Sequence, residues 1–227
     1  MMNLDQYQAM IFDFDGVILD SEPWHFEACR DFFDSIQAPL TYQDYLARYL
    51  GLSDHEMFPK VLHDHNIELS SNDIRTLISK KVANYTEIVQ SSHALPTVPG
   101  VIEFIDSARC ANIKIAICSG STRPEIETVL SKIHHGELHR SFETIVTAND
   151  LQFGKPSPEG YLLTANRLQV SPTQCLVFED APPGIKAAKS ANMDVMAVLT
   201  THQQHELMQA DWITTDFTWM TMKEKNK

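Results

Sequence analysis

The stretch Met10-Ile11-Phe12-Asp13-Phe14-Asp15-Gly16-Val17-Ile18-Leu19-Asp20-Ser21 decides how this chain is read. A short apolar run stops at two carboxylates one residue apart, followed by a glycine. A buried strand does not keep unpaired charge in its interior, because desolvating a carboxylate is costly. Asp13 and Asp15 therefore belong at the C-terminal end of a strand, facing solvent or a metal. In open α/β sheets that edge is where ligands bind.

Around this strand the pattern has two regimes. Between Gly16 and Gly100 the only glycine is Gly51, and the stretch reads as consecutive helices. Cys29, Phe32, Phe33 and Ile36 have helical spacing, as do Ile74, Leu77, Ile78, Val82 and Tyr85. Thr41 with Asp44 resembles a capping box, and Ser21 before Pro23 is a helix start. From Pro96-Thr97-Val98-Pro99-Gly100 onward, strands alternate with helices. A helix carries Val101, Ile102, Ile105 and Ala108, and a strand spans Ile113 to Cys118. A helix on Ile126, Val129, Leu130 and Ile133 precedes a short strand at Thr144 to Thr147. A helix after Ser157-Pro158 leads to a strand at Cys175 to Phe178. A helix following Gly184 leads to a last strand through Val195 to Leu199. This alternation predicts an α/β protein: a Rossmann-like parallel sheet with helices on both faces. The first strand, Ala9 to Phe14, lacks a nearby helix-then-strand partner. The reading is a discontinuous core, residues 1–20 and 95–227, interrupted by an all-helical cap at 21–94. The linkers Asp20-Ser21 and Leu95-Pro99 would form a hinge.

The chain has 227 residues, 43% hydrophobic and 21% charged, enough for a sizeable core. With 18 basic and 30 acidic residues its net charge is −12. Such a chain repels polyanions, which argues against nucleic acid and anionic membrane surfaces as partners. No run approaches the ~20 apolar residues of a membrane helix. The polar start carries no basic-then-apolar pattern, so a cytoplasmic protein is expected. Cys29, Cys110, Cys118 and Cys175 lack paired spacing and are read as buried free thiols in a reducing compartment. Trp24, Trp212 and Trp219 are read as core residues. The chain is expected to be a monomer.

Each predicted strand ends in useful polar residues: Asp13 and Asp15, then Ser119-Gly120-Ser121-Thr122, then Glu179-Asp180, with Gly154-Lys155-Pro156 in the loop after the third. A parallel sheet would bring them to one edge. Crowded carboxylates need a compensating cation, and oxygen-only ligands suit Mg²⁺. Lys155 and the amides around Ser119 and Gly120 suit a phosphate dianion. Asp13 would then attack phosphorus, and Asp15 would protonate the leaving oxygen.

On these residues the chain resembles the haloacid dehalogenase superfamily, and within it the β-phosphoglucomutase-like sugar-phosphate phosphatases with a helical cap. Asp13-Phe14-Asp15-Gly16-Val17 matches the first motif, Ser119 in Cys118-Ser119-Gly120-Ser121 the second, Lys155 the third, and Glu179-Asp180 in Val177-Phe178-Glu179-Asp180-Ala181 the fourth. The resemblance implies Asp13 as nucleophile, Asp15 as acid/base, and Ser119 and Lys155 on phosphate. It also implies Mg²⁺ held by Asp13, the Asp15 carbonyl and Asp180, with Glu179 close to the metal.

Three cap residues complete the reading. Lys81 shares a helix face with Leu77 and Tyr85; it either snorkels to water or points into the cleft, where the resemblance places a substrate-contacting lysine. His25 matches a position that helps place the acid/base, against a purely structural role. Asp54 departs from the mutase pattern Gly-Val-Ser-Arg: this chain reads Gly51-Leu52-Ser53-Asp54, and an aspartate repels a second phosphate. The pairs His63/His65 and His134/His135 lack supporting ligands and are read as surface residues. The expectation is a Mg²⁺-dependent phosphatase of a small phosphorylated metabolite, a sugar phosphate, working through a phosphoaspartate. The alternatives are a β-phosphoglucomutase, a 2-haloacid dehalogenase, for which Asp15 and Mg²⁺ have no use, and a non-catalytic binding protein.

Overall fold

The structure, a computed structural model, describes residues 3–222, the side chains of residues 134 and 135 excepted, so the His134/His135 pair lies outside the described side chains. Six parallel strands form one sheet: β1 (Ala9–Phe12), β2 (Lys114–Cys118), β3 (Thr144–Val146), β4 (Cys175–Glu179), β5 (Asp194–Val198) and β6 (Trp212–Thr214), in the order β3-β2-β1-β4-β5-β6. β1 is central, with Phe12 beside Ile117 on one side and Phe178 on the other. The chain builds outward to β3 and then returns to lay β4 on the other flank of β1. That reversal opens a crevice at the strands' C-terminal ends.

The strand residues alternate between two buried faces. Met10 and Phe12 pack with Phe104, Ile105, Ile126 and Val129, from α5 (Val101–Cys110) and α6 (Arg123–Lys132). Ala9 and Ile11 pack with Tyr161, Ala165, Ile185 and Ala188, from α7 (Glu159–Leu168) and α8 (Pro182–Ser190). Burial on both faces explains why the strands read as continuous apolar runs. The rings of Phe12 and Phe178 stack at 4.7 Å in the first of these layers.

The glycine-poor stretch forms α1 (Glu22–Ser35), α2 (Tyr42–Arg48), α3 (Asp54–Asp64) and α4 (Ser71–Ser91). Cys29, Phe33, Tyr45, Tyr49, Phe58, Val61, Leu77 and Ile78 bury one another in a separate cluster. Ala28, Tyr85 and Val89, on the same helices, join the sheet's core instead. The two crossing segments run side by side: Asp20 N–H donates to Pro96 O at 2.8 Å and Val98 N–H to Ile18 O at 3.0 Å. Among the described residues no helix is long and apolar enough to cross a membrane.

Several expectations need correction. The first strand ends at Phe12, two residues short, because Gly16 turns the chain at φ +75°. The helix expected after Gly184 starts at Pro182 and contains Gly184 in its first turn. β6 escapes sequence patterning because three residues cannot show a period, and only pairing to Met196, Ala197 and Val198 makes it a strand. Cys110 is exposed, not buried, since it ends α5 on the solvent side; the other three cysteines are buried thiols. Trp219 is 55% exposed, its indole N–H donating to Thr214 Oγ1 at the sheet edge.

Candidate active site

The turn after β1 carries Asp13 and Asp15 to the C-terminal edge. Asp13 stays in register, its N–H donating to Phe178 O at 2.9 Å. The left-handed Gly16 is required twice over, because a Cβ there would also lie 2.1 Å from Asp180 Oδ2. A cavity of about 560 Å³ opens here, lined by Asp13, Asp15, Ser119, Gly120, Lys155, Glu179 and Asp180 from the sheet side. His25 and Lys81 line it from the helical side. Every site residue singled out in the sequence therefore borders one cavity.

Lys155 organises the floor. Its Nζ lies 2.9 Å from Asp13 Oδ1 and 2.6 Å from Glu179 Oε1. Glu179 is fully buried and also accepts from Tyr161 O–H at 2.6 Å and from the N–H groups of Asp180 and Ala181. It fits only because position 184 is glycine: a Cβ there would stand 1.8 Å from Glu179 Oε1. Burial pushes the Asp13 carboxyl up to about 7, against the pull of Lys155 and with the push of Glu179. Burial, Glu179 and Asp13 likewise drive Asp180 well above the ordinary carboxylate range. Asp13, Glu179 and Asp180 each present an oxygen within 4.8 Å of the others. Three carboxylates answered by one lysine leave surplus negative charge, and this all-oxygen donor set fits a hard cation.

Asp15 has a different setting. Ser21 O–H donates to Oδ1, Ser121 O–H to Oδ2 at 2.5 Å, and His25 Nε2 sits 2.9 Å from Oδ1. Burial opposes its ionisation, but His25 and these hydroxyls overcome that and hold Asp15 well below the usual carboxylate range. His25 stacks on Tyr85 at 4.3 Å and meets Lys81 Nζ through Nδ1 at 2.8 Å. Lysine only donates, so Nδ1 accepts and the ring proton sits on Nε2, against Asp15. Lys81 is buried and neither snorkels nor stands free. It meets Glu125 at 2.7 Å and Asp54 at 3.0 Å.

Sequence reasoning missed several of these groups. Ser21 is the N-cap of α1, as its place before Pro23 predicts, but its hydroxyl does not cap the helix and instead holds Asp15. Glu125 bonds Lys81 through one oxygen and, through the other, the N–H and O–H of Thr122. The Thr122-x-x-Glu125 spacing of a capping box was the available signal. Tyr161 left no signal beyond helical periodicity. His63 is exposed as expected, whereas His65 is half-buried, bonded to Val61 O.

Comparison with known proteins places the chain in a family. Residues 10–198 match the family model described as haloacid dehalogenase-like hydrolase. The chain is 32% identical over 188 residues to the phosphorylated carbohydrates phosphatase of Thermotoga maritima, covering 82% of each. It is 31% identical over 224 residues to the β-phosphoglucomutase of Bacillus subtilis, covering 96% of this chain and 95% of that one. Its fold superposes with TM-score 0.85 on CbbY from Rhodobacter sphaeroides in complex with phosphate, at 21% identity, covering 93% and 95% of the two chains. On the family match and these identities, the chain belongs to the haloacid dehalogenase-like hydrolases.

Proposed function

We propose that this enzyme is a Mg²⁺-dependent phosphatase of a small phosphorylated metabolite, a sugar phosphate, and that it works through a phosphoaspartate on Asp13. The observation that carries the reading is the placing of Asp13. Its carboxylate stands at the end of the central strand, against Lys155, in the cavity that Asp15 and the Ser119-Gly120 turn also border. The relatives named as phosphorylated carbohydrates phosphatase and fructose-1-phosphate phosphatase support the substrate class.

In this mechanism Lys155, Ser119 and the Gly120 amide hold the phosphoryl oxygens. An Asp13 oxygen forms a bond to phosphorus as the ester P–O bond breaks; Asp15, ionised in the free site, takes up a proton as the phosphate's negative charge arrives beside it and gives that proton to the leaving oxygen. Asp15 is then the carboxylate that Ser21, Ser121 and His25 stabilise. It removes a proton from water, the water oxygen bonds to phosphorus, and the Asp13–phosphorus bond breaks. Asp13, Asp180 and the Asp15 carbonyl would hold Mg²⁺, with Glu179 beside them, and the ion would offset charge on the phosphoryl group. Residues 21–94 act as a cap on the core formed by 1–20 and 95–227, excluding bulk water from the cavity.

A mutase reading is favoured by the near-complete span of the β-phosphoglucomutase relative. Asp54 on the cap wall disfavours it, because a second phosphate would meet a carboxylate. The test is inorganic phosphate release from a panel of phosphoesters with Mg²⁺ and with EDTA, alongside Asp13→Asn. Metal-dependent release lost in the variant is expected. Interconversion of hexose 1- and 6-phosphates without net release would replace this reading with the mutase.

A further inference from the structure

The wall facing Asp13 and Lys155 comes from the helices α1, α3 and α4, and it is acidic. Glu22, Asp54 and Glu56 line it, with Lys81 and His25 as their counterparts and His55 exposed at the rim. Lys81 is not available to a ligand. Its three donors have three partners: Glu125 at 2.7 Å, Asp54 at 3.0 Å and His25 Nδ1 at 2.8 Å. His25 in turn faces Asp15 through Nε2. The start of α3 borders the same cavity, and a helix N-terminus ordinarily offers its N–H groups to an anion. Here the chain sets its own carboxylates at that place. Glu56 accepts from the Ser53 N–H at 3.0 Å and from the Ser53 O–H at 2.6 Å, and Asp54 occupies the first turn. One oxygen of Asp54 meets Lys81; among the described residues, no hydrogen bond reaches the other.

We propose that this wall, through Asp54, selects monophosphates whose far end donates hydrogen bonds, as hydroxyls or an ammonium group do, and turns away substrates with a second anion. The inference rests on the phosphatase reading above and names its substrate class more narrowly. A free carboxylate oxygen accepts from a hydroxyl or ammonium, whereas a second phosphate or a carboxylate would stand beside the Asp54 and Glu56 carboxylates, with the Lys81 cation already committed to its three partners. Asp54 is thereby a specificity-determining residue.

The test measures binding apart from turnover. Isothermal titration on the Asp13→Asn protein with Mg²⁺ compares four probes: a hexose 6-phosphate, the matching amino-hexose 6-phosphate, a hexose 1,6-bisphosphate and a three-carbon phosphorylated hydroxy acid. The unmodified enzyme is assayed for phosphate release from the same four. The expected result is weaker binding of the two probes with an anionic far end, the bisphosphate and the phosphorylated hydroxy acid, by roughly 100-fold. Adding Asp54→Asn is expected to narrow the ratio between bisphosphate and monophosphate by about 10-fold, whatever affinity the two lose in common. Glu56→Gln, which keeps a capping side chain, is expected to narrow it by a smaller factor in the same direction. Tighter binding of the amino sugar identifies an ammonium as the favoured donor; equal or weaker binding identifies hydroxyls. A bisphosphate or phospho-acid bound as tightly as the monophosphate overturns the proposal, as does a ratio unmoved by both variants. Selective binding without any phosphate release would remove the hydrolysis reading while leaving the selection standing.

Discussion

The Lys81–Glu125 bridge joins α4 to α6, and its removal has a calculable consequence. Both side chains are almost fully withdrawn from water, at 5% and 1% exposure. Breaking a buried ion pair by deleting one partner costs about 3–5 kcal/mol, because it strands the other charge. The geometry makes the two deletions unequal. In Glu125→Ala, Lys81 keeps Asp54 at 3.0 Å, so the cost falls near about 3 kcal/mol. In Lys81→Met, two carboxylates lose their shared cation, and the cost rises towards about 5 kcal/mol. For a chain of this size about 1 kcal/mol shifts Tm by roughly 2–4 °C, so Lys81→Met should melt some ~10 °C or more below the parent. The double variant should cost less than the sum, with a coupling of about 2 kcal/mol. Urea titration of the four proteins measures this. pH supplies a second arm. Burial opposes ionisation of Glu125, but Lys81 and His25 pull its pKa below the ordinary value. Its contribution is therefore present above the unfolded carboxylate pKa and lost as pH falls through the lowered folded one. The reasoning fails if both single variants stay within about 0.5 kcal/mol of the parent, the size of an ordinary surface substitution, or if the double variant is strictly additive.

Other outcomes follow from the same packing. Gly184→Ala places a methyl on Glu179 and should destabilise the protein by at least about 3 kcal/mol while lowering kcat, since Lys155 loses its second carboxylate; a variant with the parent's Tm and kcat would contradict the packing. Phe12→Ala removes a ring stacked between sheet and helices and should cost about 3–5 kcal/mol in urea unfolding. Burial opposes ionisation of Asp150, yet Arg167 and Thr147 hold it down to about 2. Asp150→Asn should then cost about 1 kcal/mol at neutral pH, after allowance for solvent screening, a difference that shrinks as pH falls from about 4 towards the folded value; a difference independent of pH would exclude the ion pair as its source.

The sequence alone determined the parallel sheet, its flanking helices and the strand-end chemistry. These follow from neighbours along the chain: apolar runs of strand length, helical spacing, and carboxylates that a strand's apolar interior does not hold unpaired. The family's motifs were legible for the same reason, three being a few consecutive residues at a strand end and the other, Lys155, lying in the loop after β3. Gly16 and Gly184 were visible as glycines, but their purpose was not. Only the fold shows that one makes room for Asp180 and the other for Glu179.

What only the tertiary structure decided is which charges meet. Ser121 and Asp15 are 106 residues apart, Lys81 and His25 are 56 apart, and Lys81 and Glu125 are 44 apart. No local period or spacing encodes such pairs, because they arise where separate elements pack. The role of Lys81 turned on that packing. Seen on a helix face it was a lysine that either snorkelled or reached a substrate; folded, it is a buried cation shared by Asp54, Glu125 and His25. Desolvation forces the outcome: a lysine carried into the interior must be answered by carboxylates, and only the assembled fold shows which ones reach it.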